Sequence, residues 1–258
     1  EKYMNFAANL TMLFTEYDFL DRFEKANKYN FKAVEYLFPY DYKPEELKYL
    51  LNEYNLKQVL HNLPAGDWNN GERGIACNPN KLNEFKDGVE TAIEYAKALN
   101  CDQLNCLIGI PPEGISSEEL KNTTISNLKY ASDILKNNGI KLLIEAVNNI
   151  DIPGFYLNTT NQALEIINEV KSDNLFIQYD IYHMQIMEGN LSFTLRDNIE
   201  MIKHIQIADH PGRNEPGTGE INYDFLFEYI KSIGYEGYIG CEYIPLNGTE
   251  NGLKWLNK

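Results

Sequence analysis

Short apolar runs alternate along the chain with longer stretches whose apolar residues recur at helical spacing. MNFAAN (4–9) reads as a strand, and EYDFLDRFEKANKYN after it sets Phe19, Leu20, Phe23 and Ala26 on one helical face. AVEYLF (33–38) predicts the second strand, and KPEELKYLL the next helix, with Pro44 in its first turn and acids behind it. LKQVLHNL (56–63) is the third strand; the long loop PAGDWNNGERGIACNPN separates it from the helix KLNEFKDGVETAIEYAKAL. QLNCLIG (103–109) follows, then a PPEG turn and the helix SSEELKNTTISNLKYASDILKNNG, which opens on Ser and closes on Gly. The second half keeps the rhythm. LLIEAVN (142–148) precedes a helix near TTNQALEIINEV, and LFIQYDIYH (175–183) a shorter one near LSFTLRDNIEM. KHIQIADH (203–210) leads through the Gly-rich loop PGRNEPGTGEIN to a helix at YDFLFEYIKSIG. YIGCEYI (238–244) is the eighth strand, and GTENGLKWLNK closes the chain as a helix.

Eight strand-then-helix units with no long polar linker predict an α/β fold, a single (β/α)8 TIM barrel over residues 1–258. Several strands are continuous apolar runs, as strands covered on both faces require. A doubly wound open sheet is the alternative, but no G-x-G-x-x-G follows the first strand and there is no P-loop.

Composition narrows the function classes. Hydrophobic residues make up 43% of 258, enough for a sizeable core, and 18 Tyr make that core rich in rings. A formal charge of −15 disfavours a nucleic acid partner, which calls for a basic footprint. It leaves small anions open, because a local basic pocket overrides the global charge. Cys77, Cys101, Cys106 and Cys241 form no CxxC pair and read as reduced, core-filling thiols of a cytoplasmic protein. No stretch has the length and purity of a membrane span. EKYMNFAANLTMLF lacks a basic region followed by an apolar one, so no signal peptide is expected; Met4 is a candidate natural start, with Glu1 to Tyr3 ahead of it. Self-association into a homo-oligomer stays open.

In a barrel of this kind the active site lies at the C-terminal ends of the strands. The predicted ends carry Asn9, Glu35, His61 with Asn62, Asn105, Glu145 with Asn148, Asp180 with His183, Gln206 with Asp209, and Glu242. Buried charges without partners are costly, and acids meeting in one mouth repel each other. A cation is the simplest compensation. Three carboxylates with an amide oxygen suit a hard divalent ion, Mg²⁺ or Mn²⁺, rather than structural Zn²⁺. The alternative is a set of unconnected strand-end acids satisfied by helix N-termini or basic side chains.

Long segments of the chain match a known family: FAANLTMLFTEYDFLDRFEKA, VEYLFPYDY, LHNLPAGDWNNGERGIAC, DIPGFYL, IQYDIYHMQIMEG, HIQIADHPGRNEPGTGEINY and GCEYIP. Over nearly its whole length the chain resembles the hydroxypyruvate isomerases, members of the xylose-isomerase-like barrels. The resemblance implies that Glu145, Asp180, Gln206 and Glu242 hold one divalent metal, and that Glu145 and Glu242 are the proton donor–acceptor pair. Relatives that epimerise sugars often carry His at the strand-seven position, where Gln206 stands here.

The implied reaction interconverts hydroxypyruvate and tartronate semialdehyde (2-hydroxy-3-oxopropanoate) through an enediolate, with a metal-assisted hydride shift as the competing route. The small anionic substrate calls for a basic partner, first Arg213 after strand seven and then Arg73 after strand three. Each has the alternative of a loop Arg paired with a nearby acid. His183 and His61 are candidates to touch substrate or simply to sit satisfied in the structure. Glu35 is expected to orient His61 or face substrate, Asp209 to orient its neighbours, Glu220 to buttress its loop or touch the substrate region, and Trp68 to cover the mouth or meet another copy. Three other functions compete: an isomerase of 2-oxo-tetronate, a multi-zinc endonuclease, and a non-catalytic sugar-acid binder. Four His in the chain and its acidic charge argue against the endonuclease.

Overall fold

A computed structural model describes residues 4–257; Glu1 to Tyr3, which precede the candidate start, and Lys258 lie outside the described residues. The strands β1 (Asn5–Asn9), β2 (Ala33–Glu35), β3 (Lys57–Asn62), β4 (Gln103–Cys106), β5 (Lys141–Glu145), β6 (Leu175–Asp180), β7 (Ile202–Ile207) and β8 (Tyr238–Cys241) pair in parallel in chain order. β8 returns to β1, so the sheet is a closed barrel and not the open doubly wound alternative. Around it run α1 (Arg22–Lys28), α2 (Pro44–Glu53), α3 (Leu82–Ala98), α4 (Ser117–Asn137) and α5 (Thr160–Val170). The ring is completed by α6 (Ile181–Met187), α7 (Leu191–Asp197) and α8 (Tyr223–Ser232). None of the described helices is long and apolar enough to cross a membrane.

Most strands stop earlier than their apolar runs suggest, because the chain leaves the barrel as soon as its polar end residues arrive. The clearest case is β6. LFIQYDIYH is not one strand: pairing ends at Asp180, whose carboxylate accepts the His183 N–H at 3.1 Å and caps α6. A side-chain acceptor for an otherwise unpaired helical N–H makes the turn there. The closing segment Asn251–Asn257 is a 3-10 helix; within it Trp255 packs edge-on to Phe6 and stacks with Phe227.

Alternation along each strand divides the side chains into two sets. Ala8, Val34, Leu142, Ile144, Ile177, Tyr179, Ile205, Ile207, Ile239 and Cys241 join the large core shared with the helices. Ala7, Ala33, Val59, Leu60 and Leu143 form a separate small cluster, with Phe176 and Tyr238 packed against it. Residues two further along the same inward rows are polar: Asn9, Glu35, Glu145, Gln178 and then Asp180. The barrel is therefore apolar at one end and polar at the end that opens toward the strand-to-helix loops.

Candidate active site

Glu145, Asp180 and Glu242 are all buried at that polar end. Glu145 and Asp180 bring oxygens within 4.8 Å of one another and of a His183 ring nitrogen. Asn105, in register beside β5, donates to Glu145 Oε1 at 3.2 Å. Glu242 follows β8 and receives Gln206 Nε2 at 2.8 Å and Asn9 Nδ2 at 3.1 Å on Oε2, and the Arg213 guanidinium at 3.1 Å on Oε1. Arg213 also lies over the Tyr182 ring at 5.1 Å, and its buried Nε has no partner among the described residues.

The acids outweigh the nearby cation. Burial drives the Glu145 carboxyl well above its ordinary range, and the charges of Asp180 and Glu242 push further the same way. Burial likewise lifts Glu242, to about 8; Arg213 pulls it down, while Asp180 and Glu35 push it up. Carboxylates that resist ionisation together, in a pocket of oxygen donors, fit a hard divalent cation.

His183 reaches the same pocket, and its tautomer decides what it can do. The Asn148 Oδ1 accepts the backbone N–H groups of Ile150 and Asp151, so its Nδ2 must face outward, toward His183 Nδ1 at 2.8 Å and Asp151 at 3.2 Å. The Asn148 backbone N–H points at the same ring nitrogen. Nδ1 is thus an acceptor. Burial holds the imidazole neutral, with its pKa lowered to about 4, so Nε2 carries the proton. That nitrogen lies 3.7 Å from Asp180 and 4.0 Å from Glu145. A protonated Nε2 is a hydrogen-bond donor and not a metal ligand.

The xylose isomerase-like TIM barrel model matches residues 23–258 of this chain. The chain belongs to that family. Within it, hydroxypyruvate isomerase of Escherichia coli K12 is 56% identical over 254 residues, 98% of each chain. A 2-oxo-tetronate isomerase of Haemophilus influenzae is 46% identical, again over 98% of each. A crystal structure from Brucella melitensis, described as an AP endonuclease of family 2, superposes with a TM-score of 0.96. It is 41% identical over 99% of this chain and 98% of its own.

This family member gathers some of the residues expected at the site and leaves others out. Glu145, Asp180, Gln206, Glu242, Arg213 and His183 converge. His61 does not: β3 carries an extra residue where Val34 pairs with Gln58 and Glu35 with Leu60. The shift turns Asn62 inward and His61 outward, with its Nε2 3.4 Å from the Ala92 carbonyl on α3. Burial there lowers its pKa to about 4. Arg73 is tied to its own loop, donating to the Trp68 and Glu72 carbonyls at 2.8 Å and stacking 4.1 Å from the Trp68 ring. Trp68 meets Phe38 edge-on at 5.0 Å. Asp209 accepts the backbone N–H groups of His210, Gly217, Gly219 and Ile221, which folds the loop carrying Arg213 back on the barrel. Glu220 on that loop bonds His210 within it and accepts from Gln185 of α6.

Of the two roles expected for Glu35, orienting His61 is the one the structure corrects. Glu35 bonds His204 at 2.9 Å rather than His61. His204 and Gln178 are buried site neighbours that motif reading passes over. The available signal was parity: His204 lies two before Gln206, and Gln178 two before Asp180, so each shares its neighbour's inward face.

Proposed function

We propose that this barrel is an isomerase of a small 2-oxo acid, interconverting hydroxypyruvate and tartronate semialdehyde with the help of one divalent ion, Mg²⁺ or Mn²⁺. The observation that carries the reading is the buried cluster of Glu145, Asp180 and Glu242 with Arg213 poised at its edge. The high identity to hydroxypyruvate isomerase of E. coli supports the substrate.

Glu145, Asp180 and Glu242 would hold the ion, with Gln206 beside them; its Oε1 accepts from Gln178 at 2.8 Å and keeps a second lone pair. The ion supplies Lewis-acid polarisation of the substrate carbonyl and offsets the excess negative charge. Arg213 binds the substrate carboxylate, for which its unpartnered Nε is a ready donor. One of Glu145 and Glu242 takes a proton from C3. Charge then develops on O2, where the His183 Nε2–H donates. The hydroxyl proton passes from O3 to O2, and the other glutamate, which enters the step protonated, delivers its proton to C2, leaving an aldehyde at C3; the first glutamate keeps the C3 proton, and exchange with solvent resets the pair.

A four-carbon 2-oxo-tetronate is the second reading, favoured by the 46% identity to the H. influenzae enzyme; it would keep the ion-holding residues and the two glutamates in the same roles. The formal charge of −15 favours either small acid over a nucleic acid. The test offers both acids to metal-stripped protein in D₂O, with Mg²⁺ or Mn²⁺ added back, and follows them by NMR. Metal-dependent conversion of hydroxypyruvate with deuterium in the product supports the proposal. Conversion without deuterium favours a hydride shift or a shielded proton relay, and preference for the four-carbon acid changes the substrate. No metal-dependent turnover of either refutes the isomerase reading for both.

A further inference from the structure

Behind Glu242 a hydrogen-bonded layer crosses the barrel. Glu35, at the end of β2, is 1% exposed. Its Oε1 faces His204 Nε2 at 2.9 Å, and its Oε2 accepts from Asn9 Nδ2 at 3.1 Å and from Gln206 Nε2. Asn9 and Gln206 also donate to Glu242 Oε2, at 3.1 and 2.8 Å. Both amides therefore bridge the two carboxylates.

Their orientations are not arbitrary. Asn9 Oδ1 accepts the backbone N–H groups of Thr11 and Met12, at 3.1 and 3.3 Å, so only its nitrogen can face the acids. Gln206 turns its nitrogen to two carboxylates and its oxygen to Gln178. The fold makes room for this layer at Gly240. A Cβ there would sit 1.5 Å from Glu35 Oε1, so β8 admits the carboxylate only because it carries no side chain at that point.

We propose that Glu35, braced by His204, is a positioning residue of the site: through Asn9 and Gln206 it fixes the Glu242 carboxylate and the Gln206 amide. Glu242 Oε2 is held from within the barrel, leaving Oε1 toward Arg213. Gln206 spends both amide hydrogens on carboxylates, which determines where its oxygen points. Glu35 touches neither ion nor substrate in this scheme. The proposal rests on the reading of Glu242 and Gln206 as ion-holding groups.

The test is Mn²⁺ binding by metal-stripped Glu35→Gln, measured by calorimetry beside the unaltered chain. The substitution keeps the volume but replaces one acceptor oxygen with an NH₂ group that meets donors. Affinity is expected to fall ~10- to 100-fold, the usual effect of losing a partner that orients ion-holding groups. Turnover number should fall with it while KM moves less than about threefold, a split that general loosening of the fold would not produce. Mn²⁺ affinity within about twofold of the unaltered chain overturns the proposal. Should Glu35→Gln fail to fold, Asn9→Ser takes its place. A serine oxygen can still accept from the Thr11 and Met12 N–H groups, but it carries no amide to bridge the acids. Weakening of ~10-fold supports the proposal, and unchanged affinity overturns it. If the unaltered chain itself binds no Mn²⁺, the ion reading fails and takes the proposal with it. Normal binding by both proteins overturns the positioning role alone.

Discussion

Gly240→Ala puts the buried layer under direct stress. The added Cβ would lie 1.5 Å from Glu35 Oε1 and 2.4 Å from its Cδ, far inside contact distance. Glu35 is 1% exposed and cannot swing into water, so either the carboxylate moves off its donors or β8 moves off β1. Displacing the carboxylate breaks its bonds to Asn9, His204 and Gln206. Hydrogen bonds to a charged group contribute about 1.5–3 kcal/mol each, and overpacking alone costs about 1–3 kcal/mol. Partial relaxation brings the expected loss to about 3–6 kcal/mol, a large share of the stability of an ordinary domain. Urea unfolding followed by circular dichroism measures it. Glu35→Ala in the same background removes the obstructing oxygen. The double variant should then be more stable than the sum of the two single losses predicts, by at least about 1 kcal/mol. A Gly240→Ala loss below about 1 kcal/mol, or strict additivity with Glu35→Ala, would refute the close approach of these two positions.

Ionisation of the site couples ion binding to protons. The raised carboxyls of Glu145 and Glu242 make the ion-free native state hold more protons than the unfolded chain above the ordinary value of 4.5. Stability therefore falls as pH rises from there through about 8. Thermal melts of the ion-free protein should drop across that window, Mn²⁺ should flatten the profile, and calorimetry in buffers of different ionisation enthalpy should register proton release on binding; a flat ion-free profile contradicts this. Glu242→Gln should lower turnover by ~10²- to 10⁴-fold in a steady-state assay with hydroxypyruvate, the range for losing a positioned proton carrier, and near-native turnover would remove Glu242 from the chemistry. Arg213→Lys keeps the charge but loses the fork, so KM should rise by ~10-fold or more with a smaller change in turnover; an unchanged KM would free Arg213 from carboxylate binding. His183 is neutral with its pKa near 4, so no ionisation of it should appear in the pH–rate profile between 6 and 8. His183→Gln, which restores an N–H donor, should retain more activity than His183→Ala.

Periodicity alone determined a good deal of this molecule. Alternation of two-residue and 3.6-residue patterns carries the order of strands and helices. Because short apolar strands between helices can bury both faces only in a parallel sheet, it carries the parallel α/β class as well, while the pairing of β8 with β1 decides closure into a barrel. The polar residues that break those runs, Glu145, Asp180, Gln206 and Glu242, were legible as strand-end groups for the same reason. What the linear pattern lacked was register. One extra residue in β3 turned His61 to the helices, and another irregularity between β6 and β7 set His204 beside Gln178 and Gln206 beside Asp180. A one-residue slip flips every side chain beyond it, so no local pattern settles which way a residue faces. Asp180 ending β6 as a helix cap, the His183 tautomer fixed by Asn148, and the Glu35 carboxylate seated over Gly240 all depend on partners 3 to 205 positions away in the chain. Hydrogen-bond geometry of that kind exists only once the barrel has closed.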